Sequence, residues 1–311
     1  MSAVANATGA DATEAVASAE QAFERWAATP VPERSECLRR VAGLLRVPDT
    51  AARIARLVTR ENGKPLAESS AEVATAARFF EWYAEEAWRA AGRTLAVDRA
   101  DRRVLTLRRP VGVVAAITPW NFPLALVARK LAPALAAGCA VIVKPAEQTP
   151  LCAVALLELV VEAGVPPGVV GLLTTDRPAE VGGVLVESPQ VRKLTFTGST
   201  ATGRTLMAAA AATLKRVSLE LGGHSPVLVF ADADLERAAP AVAAAKFRNA
   251  GQVCAAANRL YVQTPAAPDF AGRLADLARG LRVGPGLGSG TEIGPLIDAR
   301  ALEKVEAHVD D

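Results

Sequence analysis

The feature that most constrains this chain is a series of short apolar runs separated by helical stretches. VGVVAAIT (111–118), AVIVK (140–144) and KLTFTG (193–198) are rich in β-branched residues, and LALVARKLAPALAAG and TPLCAVALLELVVEAG lie between them. Strands apolar on both faces need covering on both faces, and strands that alternate with helices pair in parallel. The expected fold is therefore α/β: a doubly wound, Rossmann-like parallel sheet. Ahead of it, residues 12–92 repeat apolar positions every three or four residues, with breaks at Pro30, Pro48 and Asn62-Gly63. RVLTLRR (103–109) alternates apolar and polar residues and predicts a half-buried strand. VSLELGG and SPVLVF (217–230) mark a crossing into a second unit, whose last strand-like run is LYVQ (260–263).

Composition removes several classes of function. Apolar residues make up 51% of the 311, too many for a disordered chain. The formal charge of +2 and the scattered basic residues leave no nucleic-acid footprint. Four widely separated cysteines without a CxxC pair, and two histidines, speak against a zinc cluster or a disulfide framework. No metal is expected, and a reducing compartment is the default. The start of the chain has no basic region of a secretory signal, and the weakly polar stretch 131–143 is shorter than the roughly 18–20 residues that cross a bilayer. A soluble, cytoplasmic protein without a membrane partner is expected.

Five motifs carry chemistry, and four of them have a plainer alternative. GSTATGRT (198–205) follows a strand and opens a helix. Arg204 stands where a P-loop needs Lys, which disfavours ATP or GTP hydrolysis. Gly198 and Gly203 still allow a backbone to approach a phosphate at a helix start; an ordinary strand-to-helix turn is the alternative. In TPWNFPLALVARK (118–130), Asn121 follows a buried strand at the end where open α/β sheets bind ligands, or else is a turn residue. In FRNAGQVCAAANR (247–259), Cys254 is expected at the first turn of a helix, which favours the thiolate; a buried, inert cysteine is the alternative. Glu220 in LELGG (219–223) lies between leucines, a setting that desolvates a carboxyl and suits a general base; a surface strand Glu is the alternative, which leaves the apolar neighbours unexplained. In KPAEQTP (144–150), Lys144 and Glu147 end a buried strand on a turn where both can reach the hydroxyls of an adenosine ribose.

Taken together and in this order, PWNFP, KPAEQTP, FTGST, LELGG and GQVC resemble the aldehyde dehydrogenase superfamily, from about Ala15 to the end of the chain. The strings ENGKPLAES, FFEWYAEEA and AKFRNAGQVC make it most similar to the succinate-semialdehyde branch. The resemblance implies NAD(P)-dependent oxidation of an aldehyde to its acid, with succinate semialdehyde as substrate and succinate as product. It implies that Cys254 attacks the carbonyl, that the Asn121 amide and the Cys254 N–H stabilise the oxyanion, and that hydride transfer to nicotinamide leaves a thioester. Glu220 matches the base that activates the thiol or the deacylating water. Lys144 and Glu147 match the ribose grip, and Gly198, Ser199 and Gly203 the pyrophosphate turn. Trp120, Asn121 and Leu221 match positions near the nicotinamide. An acidic residue at 147 favours NAD over NADP. Arg129 and Arg248 match a clamp for a distal carboxylate, each able to offer paired donors.

Three departures accompany the resemblance. Ala256 replaces a second cysteine often found two residues after the nucleophile, and TTDRPA (174–179) replaces a loop that usually carries Gly near the cofactor. The chain is also shorter than the family's pattern, so further catalytic-domain sequence is expected beyond residue 311. The expected domains are an NAD-binding domain over 1–97 and 111–222, a projecting β-arm at 98–110, and the first part of an α/β catalytic domain over 223–311. A homodimer or homotetramer is expected of the complete protein. The rival readings are a fragment that only binds nucleotide or subunits, and cofactor-free ester hydrolysis by Cys254 and Glu220.

Overall fold

In the computed structural model, which describes residues 3–310, the chain opens with helices α1 (Gly9–Ala28), α2 (Val31–Arg46), α3 (Pro48–Asn62) and α4 (Leu66–Arg89). Local chemistry sets their ends. Thr8 caps α1, accepting from the Asp11 N–H while its own N–H donates to the Asp11 carboxylate at 2.7 Å. Pro30 and Pro48 stand where helices begin and a missing N–H goes unnoticed. Gly63, at φ +92°, ends α3 in the left-handed region.

Strands β1 (Arg93–Leu95) and β2 (Val104–Thr106) then pair antiparallel, Arg93 opposite Thr106. All of their residues are exposed. This corrects the half-buried strand expected at 103–109: a two-stranded ribbon has no layer beneath it to cover either face. The ribbon also starts at Arg93, ahead of the arm expected at 98–110.

The central sheet comprises β3 (Val113–Ile117), β4 (Ala140–Lys144), β5 (Val170–Leu172), β6 (Val191–Gly198) and β7 (Arg216–Leu221). Helices α5 (Ala125–Ala136), α6 (Pro150–Glu162), α7 (Pro178–Glu187) and α8 (Thr200–Ala211) connect them in turn. Strand order is β5-β4-β3-β6-β7, and the β3–β4, β4–β5 and β3–β6 pairs are parallel. Every residue of β3 and β4 is buried, as their unbroken apolar sequences require. The chain builds outward from β3 to β5, then returns to lay β6 on the other side of β3. That reversal makes a topological switch point, and ligands bind at the carboxyl ends of the strands beside it. The doubly wound α/β fold is thus present.

Beyond β7 lie β8 (Val227–Val229), α9 (Leu235–Phe247), β9 (Leu260–Val262), α10 (Ala267–Gly280) and α11 (Ala299–Asp310). β8 and β9 pair in parallel through α9, with Val229, Ala239, Val242 and Phe270 as their core. Contacts divide the chain into two compact units. One holds the residues up to Ile54 together with Glu72–Glu220; the other holds Ala55–Ala71 and the chain from Leu221 onward. Residues 55–71 therefore group with the second unit, not with the sheet to which periodicity alone joined them. Packing at a distance is the reason. A Cβ on Gly286 or Gly294 would sit 2.4 or 2.0 Å from the Gly63 carbonyl oxygen, so only glycine backbone permits this approach. Leu66 N–H also donates to the Gly286 carbonyl at 3.0 Å. Among the described residues no helix is long and apolar enough to cross a membrane, and no group of three or more His, Cys, Asp or Glu could hold a metal.

Candidate active site

In the first unit the sequence-selected residues gather at the carboxyl ends of β3, β4 and β6. Trp120 and Asn121 follow β3, both half-buried, in the turn that leads to α5. The buried Glu72 carboxylate holds the start of that helix, accepting from Leu124 N–H at 2.9 Å and Ala125 N–H at 3.1 Å. A carboxylate at a helix start satisfies donors the helix cannot and meets the positive end of its dipole. α5 in turn carries Arg129 and Lys130. Arg129 is exposed, its Nη2 3.8 Å from Glu220 Oε1, so two of the selected residues come together here. Both side chains are more than half exposed, and a pair that loose contributes little to stability.

Glu220 departs from expectation. Along β7 the side chains alternate, with Val217, Leu219 and Leu221 half-buried while Ser218 and Glu220 are exposed. The flanking leucines face the other way from the carboxylate and do not desolvate it. Lys130, which the sequence reading did not single out, is buried instead. Its Nζ donates to Thr195 Oγ1 at 2.9 Å. Burial, helped by Arg129 and Lys193 and opposed by Glu220, pushes the Lys130 ammonium down to about 8. A Lys in the middle of the apolar run LALVARKLAPAL was the available signal.

The residues expected at the nucleotide lie on β4 and β6, the two strands that flank β3, and on the turns that follow them. Lys144 ends β4 almost fully buried, donates to the Pro145 carbonyl at 3.1 Å and forms an ion pair with Glu147. Glu147 lines a cavity of about 240 Å³ together with Asn6, Pro150, Thr174, Thr175 and Asp176. The TTDRPA departure shapes this wall. Ala7 N–H donates to the Thr174 carbonyl at 2.8 Å, and the Thr174 and Thr175 hydroxyls donate to the Ala5 and Ala7 carbonyls at 2.6 and 2.7 Å. Gly198 closes β6, where a Cβ would fall 2.4 Å from the Phe196 ring. Ser199 caps α8, accepting from Thr202 N–H at 3.2 Å, and Gly203 is buried one turn on. A lysine–carboxylate pair at a pocket, beside a capped helix start at the switch point, suits an adenosine ribose and its phosphates.

Leu221, Arg248 and Cys254 belong to the second unit. Leu221 is the half-buried last residue of β7, and Arg248 is exposed. Of the free cysteines, Cys139 and Cys152 are buried, Cys37 is half-buried and Cys254 is exposed. Burial pushes the Cys37 and Cys139 thiols up, which keeps them protonated and inert. Cys254 does not stand at a helix start as expected. It lies in a turn after the 3₁₀ turn Arg248–Gly251, with Ala256 N–H donating to the Val253 carbonyl at 3.1 Å. The five residues between it and β9 are too few for a stable helix.

The chain matches the aldehyde dehydrogenase family over residues 1–311. It is 51% identical over 301 residues to the mitochondrial succinate-semialdehyde dehydrogenase of Arabidopsis thaliana, covering 97% of this chain and 56% of that protein. It is 50% identical over 304 residues to the NADP+ succinate-semialdehyde dehydrogenase of Escherichia coli K12, and 48% identical over 302 residues to a glutarate-semialdehyde dehydrogenase of Pseudomonas putida KT2440. Each comparison covers 97% of this chain and 62% of the relative. The crystal structure of an E. coli NADP-dependent enzyme superposes with a TM-score of 0.97 at 48% identity, covering 99% of this chain and 63% of that one. The chain thus spans less than two thirds of the length of the relatives it matches.

Proposed function

The chain belongs to the aldehyde dehydrogenase family, and on that premise we propose that the protein oxidises an aldehyde with a distal carboxylate to the diacid, using NAD(P)+. Succinate semialdehyde is the substrate of first choice. The observation that carries the reading is Cys254, exposed on a turn while Cys139 and Cys152 are buried and inert. In this reading Cys254 adds to the aldehyde carbonyl, and the Asn121 amide and Cys254 N–H hold the oxyanion. NAD(P)+, when bound, would supply the hydride acceptor that takes the Cys254 adduct to the thioester. Glu220, exposed and only loosely paired with Arg129, orients the water that cleaves the resulting Cys254 thioester, releasing the acid and restoring the thiol. Lys144 and Glu147 would hold the adenosine ribose, Gly198, Ser199 and Gly203 the pyrophosphate, and the backbone at Trp120 and at Leu221 would bind the nicotinamide end. The Glu147 carboxylate disfavours a 2′-phosphate, so NAD is the preferred form.

Arg129 and Arg248 are assigned to the distal carboxylate. Relatives named for succinate and for glutarate semialdehyde are almost equally similar. Their substrates differ by one methylene, which a pocket discriminates by only about 1–3 kcal/mol. Recognition is therefore of the distal anion, and both chain lengths are substrates of the same pocket. The exposed β1–β2 ribbon is assigned to self-association in a homodimer or homotetramer, in the cytoplasm. Reduction of NAD+ by succinate semialdehyde, glutarate semialdehyde and an uncharged aldehyde of equal length tests the reading. Turnover that favours the two anionic aldehydes and vanishes in Cys254→Ala is expected. Full turnover without Cys254 would remove the mechanism.

A further inference from the structure

Three consecutive left-handed residues precede the turn that carries Cys254: Asn249 at φ 49°, Ala250 at φ 54° and Gly251 at φ 77°. Only the last is a glycine. L-residues with side chains avoid this region, so the segment needs an external hold to keep it in place. Within the second unit the hold is visible. Glu68, in the first turn of α4, accepts from Asn249 N–H with both carboxylate oxygens, at 3.1 and 2.9 Å. Asn249 itself is buried. Gln252 braces the same segment from the other side. Its Nε2 donates to the Asn249 carbonyl at 3.1 Å, and its Oε1 accepts from Ile297 N–H at 3.0 Å.

Resting on the reading of Cys254 as the nucleophile, we propose that Glu68 is a positioning residue: its grip on Asn249 N–H locks the left-handed turn that aims Cys254. The physical case has two parts. A charge-assisted hydrogen bond to a buried backbone donor is among the stronger ones available, and removing the acceptor leaves that donor unsatisfied. The left-handed backbone is also disfavoured for the two residues that carry side chains, so Asn249 and Ala250 relax towards negative φ when the Glu68 hold is removed. Cys254 is only a few residues further on, so its Sγ moves with any such relaxation. A displacement of about 1 Å at a reacting group can lower turnover on the order of a hundredfold. Glu68 belongs to the ENGKPLAES string, far from GQVC in sequence, and nothing in its local pattern marks it.

The test compares Glu68→Ala, Glu68→Gln and the double variant Glu68→Ala/Ala250→Gly with the parent protein. In Glu68→Ala, amide exchange in the 249–254 peptide should accelerate at least tenfold, while peptides of β3 and β4 stay as they were. Where turnover is read, kcat should fall ten- to hundredfold with the NAD dissociation constant and the melting temperature nearly unchanged. Glu68→Gln keeps one acceptor and should stay within a few-fold of the parent. Glycine at 250 accepts the left-handed backbone without strain and should recover part of the loss. Unaltered exchange at 249–254 in Glu68→Ala would overturn the proposal, as would a loss accompanied by a matching fall in melting temperature and nucleotide affinity. A Cys254→Ala control that kept its turnover would defeat the nucleophile reading instead, and the exchange result would still judge the brace.

Discussion

Arg129 and Lys130 are neighbours on α5 with opposite surroundings, and two predictions follow from that contrast. Arg129 is more than half exposed and only loosely paired with Glu220, so it can be given up to a substrate anion. If Arg129 and Arg248 clamp a carboxylate, changing either to Leu should lower kcat/KM for succinate semialdehyde ten- to hundredfold while sparing an uncharged aldehyde of equal length. That range corresponds to the roughly 1.5–3 kcal/mol of a hydrogen bond to a charged group. Equal losses on both substrates would make the arginines structural. Lys130 is held at about 8 by burial, below its ordinary 10.5. Below pH 8 the folded chain bears the full penalty of a buried cation. Between 8 and 10.5 only the unfolded chain keeps the proton, so this group's contribution to stability rises with pH across that window. Lys130→Met should therefore stabilise the protein by about 1–3 kcal/mol at pH 7, an advantage that shrinks as pH climbs towards 10. Urea midpoints of parent and variant at the two pH values measure it, and a pH-independent difference would refute it. At this scale the Gly251-Gln252 context singled out Cys254 among the four cysteines, but the helix expected there is absent and the residue lies in a turn. The sequence was silent on Glu68 and Lys130, whose roles arise from partners distant in the chain. It misjudged Glu220 because flanking leucines on a strand point away from the residue between them.

The elements were legible in proportion to how much of their pattern is local. β3, β4 and the helices around them announce themselves through unbroken apolar runs and 3.6-residue repeats. The carboxyl ends of β3 and β4 are where Trp120, Asn121, Lys144 and Glu147 lie. The β1–β2 ribbon was legible as a strand but not as an exposed one, because alternation does not say whether anything covers the apolar side. Leu105 and Leu107 are 67% and 74% exposed, an unusual display for residues of their size. Replacing both with Asp should shift the protein to smaller species in sedimentation velocity while leaving its fold and nucleotide binding intact. An unchanged sedimentation coefficient would remove the ribbon from the association surface. The β6–α8 junction makes a sharper case. A methyl group at 198 would meet the Phe196 ring at 2.4 Å, in a strand whose core position Phe196 already fills. Gly198→Ala should displace the turn that leads into α8, costing about 1–3 kcal/mol of stability, as overpacking does. It should also weaken NAD binding several-fold by isothermal titration. Normal affinity would mean that Gly198 serves the strand alone.

The whole molecule separates the two halves of the proposed chemistry by unit. Lys144, Glu147, Gly198, Ser199 and Gly203 all belong to the unit built on the parallel sheet, and Cys254 and Arg248 to the other. The division falls between Glu220 and Leu221, whereas the sequence pattern led to a boundary at 222–223. The sequence missed the assignment of 55–71, which depends on Gly286 and Gly294 meeting the Gly63 carbonyl far along the chain. If the adenosine grip is complete within the first unit, 5′-AMP alone should engage it, independently of the nucleophile. Hydrogen exchange with saturating AMP should then slow at 140–150, 170–177 and 195–205, leaving α10 at its unliganded rate. Cys254→Ala should give the same pattern. Linkage sets the scale: ligand at a hundred times its dissociation constant stabilises the state that binds it by about 2.7 kcal/mol. Within that unit the protection should therefore approach a hundredfold for amides that exchange through its opening. Protection spread evenly over both units would show that they open together, and protection of neither would show that Lys144, Glu147 and the α8 start do not form a nucleotide site at all.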